Sequence, residues 1–193
     1  MKVNPLFIFW LIVVLAIFSF FFSASETAII GINKIRLRHM IWQNIKRAKS
    51  VQRLINRMDK FITAILVGNN FTNIAISALN TSILVGILGY RWGVVVSTFL
   101  TSFFVLVFCD ITPKILSIKH TEKIALFCAP FMEIFIKLFE PIVKLFISIS
   151  NFILRMCGIK PARRSPLVTE EELKTMIEIG REEGVLTEEE RRM

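Results

Sequence analysis

Charge is missing from three long stretches of this sequence. Pro5 to Ala24, Phe61 to Tyr90 and Trp92 to Cys109 contain none over twenty, thirty and eighteen residues. A water-soluble domain of 193 residues does not keep so much chain uncharged, and a hydrophobic content of 54% with 18 Phe argues the same way. Imidazole and thiol are scarce too. The two His are His39 and His120, each flanking the end of an apolar run, and neither is assigned a metal. The three Cys (Cys109, Cys128, Cys157) are odd in number, lack framework spacing and sit among apolar neighbours. A disulfide scaffold and a zinc or copper centre are thereby excluded, and the cysteines read as reduced packing residues. Neither an ATPase motif nor a paired nucleophile and base occurs, so an enzyme is not expected.

The charge that is present is segregated. Residues 31–60 hold nine Lys and Arg against one acid, Asp59, whereas residues 165–193 hold nine acids against four bases. The formal net charge of +9 would suggest nucleic acid if the bases lay on a soluble domain. Beside apolar runs they are better explained by anionic lipid and topology, and no nucleic-acid partner is expected. A bilayer core of about 30 Å needs about 20 helical residues, so the three runs predict three transmembrane helices, about 5–30, 61–89 and 92–118. The second is long enough to be broken, and Gly68-Asn69-Asn70 is the expected place.

Lys34, Arg36, Arg38, Lys46, Arg47, Lys49, Arg53, Arg57 and Lys60 make the loop between the first two helices cytoplasmic by the positive-inside rule. The N-terminus and the tight turn at Gly89-Tyr90-Arg91 then lie outside, while Lys114, Lys119 and Lys123 follow the third helix on the inside. A signal peptide over residues 1–25, with Ser23-Ala24-Ser25 as its cleavage site, is the competing reading. The long apolar run and the basic segment after it oppose that. A multi-pass protein of the cell membrane is expected, with a cytoplasmic C-terminus.

Polar residues interrupt these runs. Ser23-Ala24-Ser25-Glu26 closes the first, Gly68-Asn69-Asn70-Phe71-Thr72-Asn73 sits in the second and Cys109-Asp110-Ile111-Thr112-Pro113-Lys114 closes the third. Polar groups at membrane depth are costly and mark a site by default. At 1.5 Å per residue Ser23, Asn73 and Asp110 each lie about 26–27 Å from the outer ends of their helices, and Asn69 about 32 Å, one shared level toward the inner half of the bilayer. The donors are hydroxyl, amide and carboxylate oxygens, the chemistry of Mg²⁺, Ca²⁺ or Na⁺. Asn69 and Asn73, four apart, share a helix face. Asp110 brings the one firm negative charge, and Lys114 is close enough to offset it. Pro113 has no N–H to give, which frees a carbonyl near Cys109. Hydrogen bonding between helices is the alternative role for the Ser and Asn residues. Gly86, Gly89, Thr98, Thr101 and Ser102 read as close-packing positions, and Phe18 to Phe22 as lipid-facing or interface packing.

Residues 33–58 are basic with spaced apolar positions, which predicts surface helices on the inner leaflet, a solvated linker being the alternative. Residues 122–156 are apolar but carry Glu133, Lys137, Glu140 and Lys144 at spacings of four, three and four. These can pair along one helix face, and Pro130 and Pro141 should bend or break the helix. An amphipathic juxtamembrane helix is expected there in preference to a fourth span. Lys160 to Pro166 reads as a linker. Thr169-Glu170-Glu171-Glu172 opens a helix by a capping box, and a second box at Thr187 starts a helix that the chain does not finish, which points to a longer natural protein.

Three motifs in this order, Ser23-Ala-Ser-Glu-Thr-Ala28, Gly68-Asn-Asn-x-x-Asn73 and Asp110-Ile-Thr-Pro-Lys114, resemble the transmembrane domain of the CNNM/CorC magnesium-transport family. Thr169-Glu-Glu-Glu-Leu173 with Gly180-x-x-Glu-Gly-Val-Leu186 looks like that family's acidic helical segment ahead of its paired CBS domains. The resemblance covers nearly the whole chain, divided as a 1–160 transmembrane domain and a 161–193 cytoplasmic segment. It implies an all-α membrane protein, a homodimer with three transmembrane helices and a juxtamembrane helix per protomer. It also implies a dehydrated Mg²⁺ site open to the cytoplasm and regulation by ATP-binding CBS domains that this chain lacks. Carried onto this sequence, the ligands are Ser23, Asn69, Asn73, the Cys109 carbonyl and Asp110, with Ser25, Glu26 and Asn70 second in rank. Cys109-Asp110 replaces the family's usual Gly-Glu. An Asp carboxylate reaches roughly 1.5 Å less far, which matters for an ion that demands ligands at about 2.0–2.1 Å. Mg²⁺ export coupled to Na⁺ by alternating access is therefore the first expectation, and an ion-binding sensor that does not transport is the second.

Overall fold

The computed structural model describes residues 5–158, and among these every regular element is helical. They run α1 (Pro5–Ile30), α2 (Lys34–Trp42), α3 (Lys46–Ile55), α4 (Met58–Phe104), a π-helix (Val105–Ile111), α5 (Thr112–Lys119), α6 (Thr121–Leu138) and α7 (Glu140–Met156). Two stretches, Leu6–Ile30 and Met58–Lys119, are long and apolar enough to cross a membrane. The chain divides into two compact units at Ile149/Ser150. The described part of the second unit, residues 150–158, is the end of α7 and the turn after it. The expected linker and acidic capping-box segment, 160–193, lie outside the described residues.

α4 is two arms joined at Gly89, whose φ of 75° and ψ of 167° are non-helical and are adopted almost only by glycine. The arms, 58–88 and 90–104, run back along each other. Thr81 and Ser97 share a hydroxyl hydrogen bond of 2.8 Å, and Asn80 Nδ2 donates to Thr101 Oγ1 at 2.5 Å. Residues 81 and 97 each lie eight positions from Gly89, and 80 and 101 lie nine and twelve from it, so both bonds cross between the arms as an antiparallel hairpin requires. Gly93 lets the arms touch, since a Cβ there would stand 2.5 Å from the Val85 Cα. Gly86 and Gly89 meet nothing within 4 Å, so neither is the close-packing position expected of it.

The break expected at Gly68-Asn69-Asn70 does not occur. That stretch is regular helix, and Gly68 is buried where a Cβ would lie 2.7 Å from the Phe22 ring. It is glycine to admit α1. The Phe cluster is correspondingly divided. Phe22 is buried, against Gly68 and 4.9 Å from the Phe135 ring, while Phe18 is half exposed. The irregularity lies instead at the π-helix just before α5. There the Thr112 N–H bonds the Val107 carbonyl five residues back, and Thr112 Oγ1 donates to the same oxygen at 2.7 Å. Pro113 has no N–H for the next rung, and single π turns are one way a helix absorbs such a gap.

One apolar core joins the elements. Ile29, Leu37, Val51, Phe61, Ile65 and Met132, from five helices, are all at most 1% exposed. Fully burying side chains of this size is worth roughly 1.5–3 kcal/mol each. α3 therefore packs its apolar positions against α6 and α1, and α2 packs against α3, whereas Ile35 and Trp42 stay exposed. Asn33 caps α2, its Oδ1 accepting from the N–H groups of Ile35 (2.9 Å) and Arg36 (3.2 Å).

Residues 122–156 form two helices and not one. Pro130 sits inside α6 without ending it, and the break falls at Phe139. Pro141 is the second residue of α7, where a missing N–H costs nothing. The Glu residues of this segment reach across to the basic loop more than along their own helix. Glu122 pairs with Arg36, Glu133 with Arg53 and Glu140 with Lys60, while the i,i+4 pair Glu140–Lys144 also forms at 3.2 Å.

Candidate functional site

α1 carries two hydroxyls one turn apart, Ser19 and Ser23, each at most 1% exposed. In an otherwise apolar helix they find partners on two different elements. Ser19 Oγ lies 2.8 Å from Asn69 Oδ1 and 2.7 Å from Asn73 Oδ1. One hydroxyl has one proton, so the three oxygens form a cluster with more acceptors than protons. The 69/73 spacing puts both amides on the α4 face that meets α1. The Cys109 thiol also lies against Ser19, which carries the cluster onto the π-helix.

One turn further, Ser23 Oγ donates to Asp110 Oδ1 at 2.7 Å and lies 3.5 Å from the Asp110 carbonyl. Lys114 Nζ is 2.7 Å from the same carboxylate oxygen. The Asp110 side chain is 31% exposed and that of Lys114 40%, so the carboxylate is held but reachable. Ser117 Oγ, buried, donates to the Ala24 carbonyl at 3.0 Å and ties α5 to α1 beside this point.

Of the residues expected from the sequence, Asn69 and Asn73 meet through Ser19, Ser23 and Asp110 meet directly, and Cys109 is buried beside Ser19. Ser25, also buried, donates to the Phe21 carbonyl of its own helix at 2.6 Å. Glu26 is half-buried and makes no ion pair among the described residues. Asn70 is exposed, next to Phe71, which is 70% exposed. Ser19 was not among the expected residues. Its signal was available: Ser19/Ser23 and Asn69/Asn73 have the same four-residue spacing, so each pair forms one face of its helix.

The side-chain donors are four neutral oxygens, from Ser19, Ser23, Asn69 and Asn73, and the Asp110 carboxylate. Among the described residues no three His, Cys, Asp or Glu side chains gather to hold a metal. A site made here is an oxygen site of net charge −1 before Lys114 is counted, suited to a hard cation and unsuited to zinc or copper. A cleft of about 780 Å³ between α1, the two arms and the π-helix is lined by apolar residues with Asn80, Thr101 and Thr112 among its polar members. None of its lining residues is charged.

The fold and the site define a helical membrane domain in which three elements converge on buried oxygen donors. The chain belongs to the CNNM family: residues 10–190 match the Cyclin M transmembrane N-terminal domain. It is 36% identical over 164 residues to the UPF0053 inner membrane protein YfjD of Escherichia coli, covering 84% of this chain and 38% of that one. It is 32% identical over 170 residues to a UPF0053 protein of Haemophilus influenzae (88% of this chain, 40% of that one), and 29% identical over 195 residues to the UPF0053 protein sll0260 of Synechocystis (94% and 43%). The chain thus spans about two-fifths of the length of these relatives.

Proposed function

We propose that this domain binds and moves a hard divalent cation, Mg²⁺ first, through a site made by Ser19, Ser23, Asn69, Asn73, the Cys109 carbonyl and Asp110. The observation that carries the reading is the meeting of Ser23 and Asp110 at 2.7 Å, from segments 87 residues apart, inside helices otherwise suited to lipid. A carboxylate in that setting is expensive unless a cation offsets it, and Lys114 fills that role until a bound ion displaces it. Family membership supports the same reading. In this proposal α1, the first arm of α4, and the second arm with the π-helix and α5 are three spans, and two copies form a homodimer. α2, α3 and α6 lie on the cytoplasmic side of the cell membrane, and ATP-binding CBS domains follow in the whole protein.

Alternating access, with Na⁺ as the counter-ion, completes the proposal. A site of one carboxylate and neutral oxygens is within reach of either ion and is not so tight that release is forbidden. The π-helix is the element suited to rearrange, because its hydrogen bonds already run between two registers. The test is Mg²⁺ binding by calorimetry on purified protein, wild type beside Asp110→Ala and Asn73→Ala. Binding is expected in the wild type and lost in both variants while their melting temperatures hold. Unchanged binding would reduce the cluster to packing between helices. Mg²⁺ flux in reconstituted vesicles then separates transport from sensing, because a sensor binds without flux.

A further inference from the structure

A second group of charged residues lies away from the oxygen cluster and surrounds a cavity. At the N-terminal end of the first α4 arm, a pocket of about 320 Å³ opens between α3, α4, α6 and the start of α7. Four bases line it, Arg53, Arg57, Lys60 and Lys137, against two acids, Glu133 and Glu140. Both acids are already neutralised. Arg53 grips Glu133 with two nitrogens, Nε to Oε1 at 2.5 Å and Nη2 to Oε2 at 2.8 Å. Lys60 Nζ and Lys144 Nζ hold Glu140 Oε1 at 3.0 and 3.2 Å. Arg57 and Lys137 face the same cavity without a close ion pair among the described residues, although Arg57 is near enough to Glu133 to act on its carboxylate. Leu54 and Ile136 complete the wall with apolar surface.

We infer that this pocket binds a phosphate group. A guanidinium and an ammonium on one cavity, in a lining of four bases and two acids whose carboxylates are each gripped by another base, is a receptor for a compact dianion or monoanion. The depth points to one source. Lys60 is the residue before the uncharged run that begins at Phe61, so the pocket sits where an anionic lipid presents its phosphate, and Leu54 and Ile136 can meet the glycerol and upper acyl chain. A soluble phosphate compound shares the chemistry. The inference rests on the proposed membrane placement of α4 but not on the cation site, since none of the pocket residues belongs to that cluster.

The experiment uses the full chain in neutral detergent, with thermal midpoint and native mass spectrometry as readouts. Dioleoylphosphatidylglycerol, dioleoylphosphatidylcholine and inorganic phosphate are added separately. Phosphatidylglycerol is expected to be retained and to raise the midpoint, and phosphatidylcholine is not. Arg57→Gln and Lys137→Gln should each weaken retention about tenfold, the value of one lost charge-assisted contact. Arg57→Lys should lose less, and Lys49→Gln, on α3 but outside the pocket, should lose nothing. Protection by inorganic phosphate with the same dependence on Arg57 upholds the pocket and assigns it a soluble ligand. Retention unchanged in both pocket variants, or weakened equally by Lys49→Gln, overturns the inference. Mg²⁺ calorimetry on Arg57→Gln is expected to match the wild type, so failure of the pocket and failure of the cation site remain distinct.

Discussion

Lys114 is the residue that most directly competes for Asp110. Its ammonium is 2.7 Å from the oxygen that also accepts from Ser23, so a cation that takes that oxygen must displace it. Both side chains are part-exposed, and pairs of that kind are worth about 0.2–1 kcal/mol. Lys114→Gln is therefore expected to tighten Mg²⁺ binding by about two- to fivefold, measured by calorimetry at fixed ionic strength. Weaker binding would show instead that Lys114 positions the carboxylate. Ser19 shows why part of the site was hidden in the sequence. A single Ser among four Phe is a common packing residue, and nothing local says that its hydroxyl meets two amides fifty residues away. Asp110 was legible because an isolated acid inside an apolar run has few inexpensive explanations.

At the level of elements, two devices hold the bundle in register, and each gives a test. The first is the Gly89 turn. Its φ of 75° and ψ of 167° strain any side chain, while open space around it removes steric clash as an explanation. Gly89→Ala should cost of order 1–3 kcal/mol of stability, read as a lowered melting temperature in detergent with Mg²⁺ affinity retained. The second device is the clamp of α3 on α6. The Arg53 guanidinium holds the Glu133 carboxyl below the ordinary carboxylate value, assisted by Ser50 and Arg57 and opposed by partial burial. A carboxyl whose pKa falls on folding stabilises the fold at all pH above its unfolded value, about 4.3 for Glu. That contribution is lost as pH falls through the lower folded value. Protection of residues 46–55 against hydrogen exchange, taken relative to the intrinsic exchange rate at each pH, should therefore be high at neutral pH and fall below about pH 4, and Glu133→Gln should flatten that dependence.

For the whole molecule, the apolar runs announced the helical membrane architecture because length and hydropathy do not depend on partners. The packing of α2 and α3 was less legible. Val51 and Leu54 on α3 have the spacing of a lipid-facing stripe, yet α3 packs against α6 and both are buried, as is Leu37 on α2. The break at Phe139 was anticipated only in kind, since either proline could have caused it. Orientation is where the charge pattern makes its strongest claim, and it is testable independently of any ion. Tyr90, at the hairpin turn, and Trp42, at the end of α2, are both 81% exposed. Of the native cysteines only Cys157 is exposed, so its replacement leaves a quiet background. With single cysteines at 90 or 42, an impermeant maleimide on intact cells should label position 90 at once and position 42 only after permeabilisation. The nine bases of residues 31–60 oppose translocation of that loop, and a tight turn carrying only Arg91 does not. The reverse pattern would invert the protein, place Asp110 near the outer leaflet, and require the cation site to open outward first.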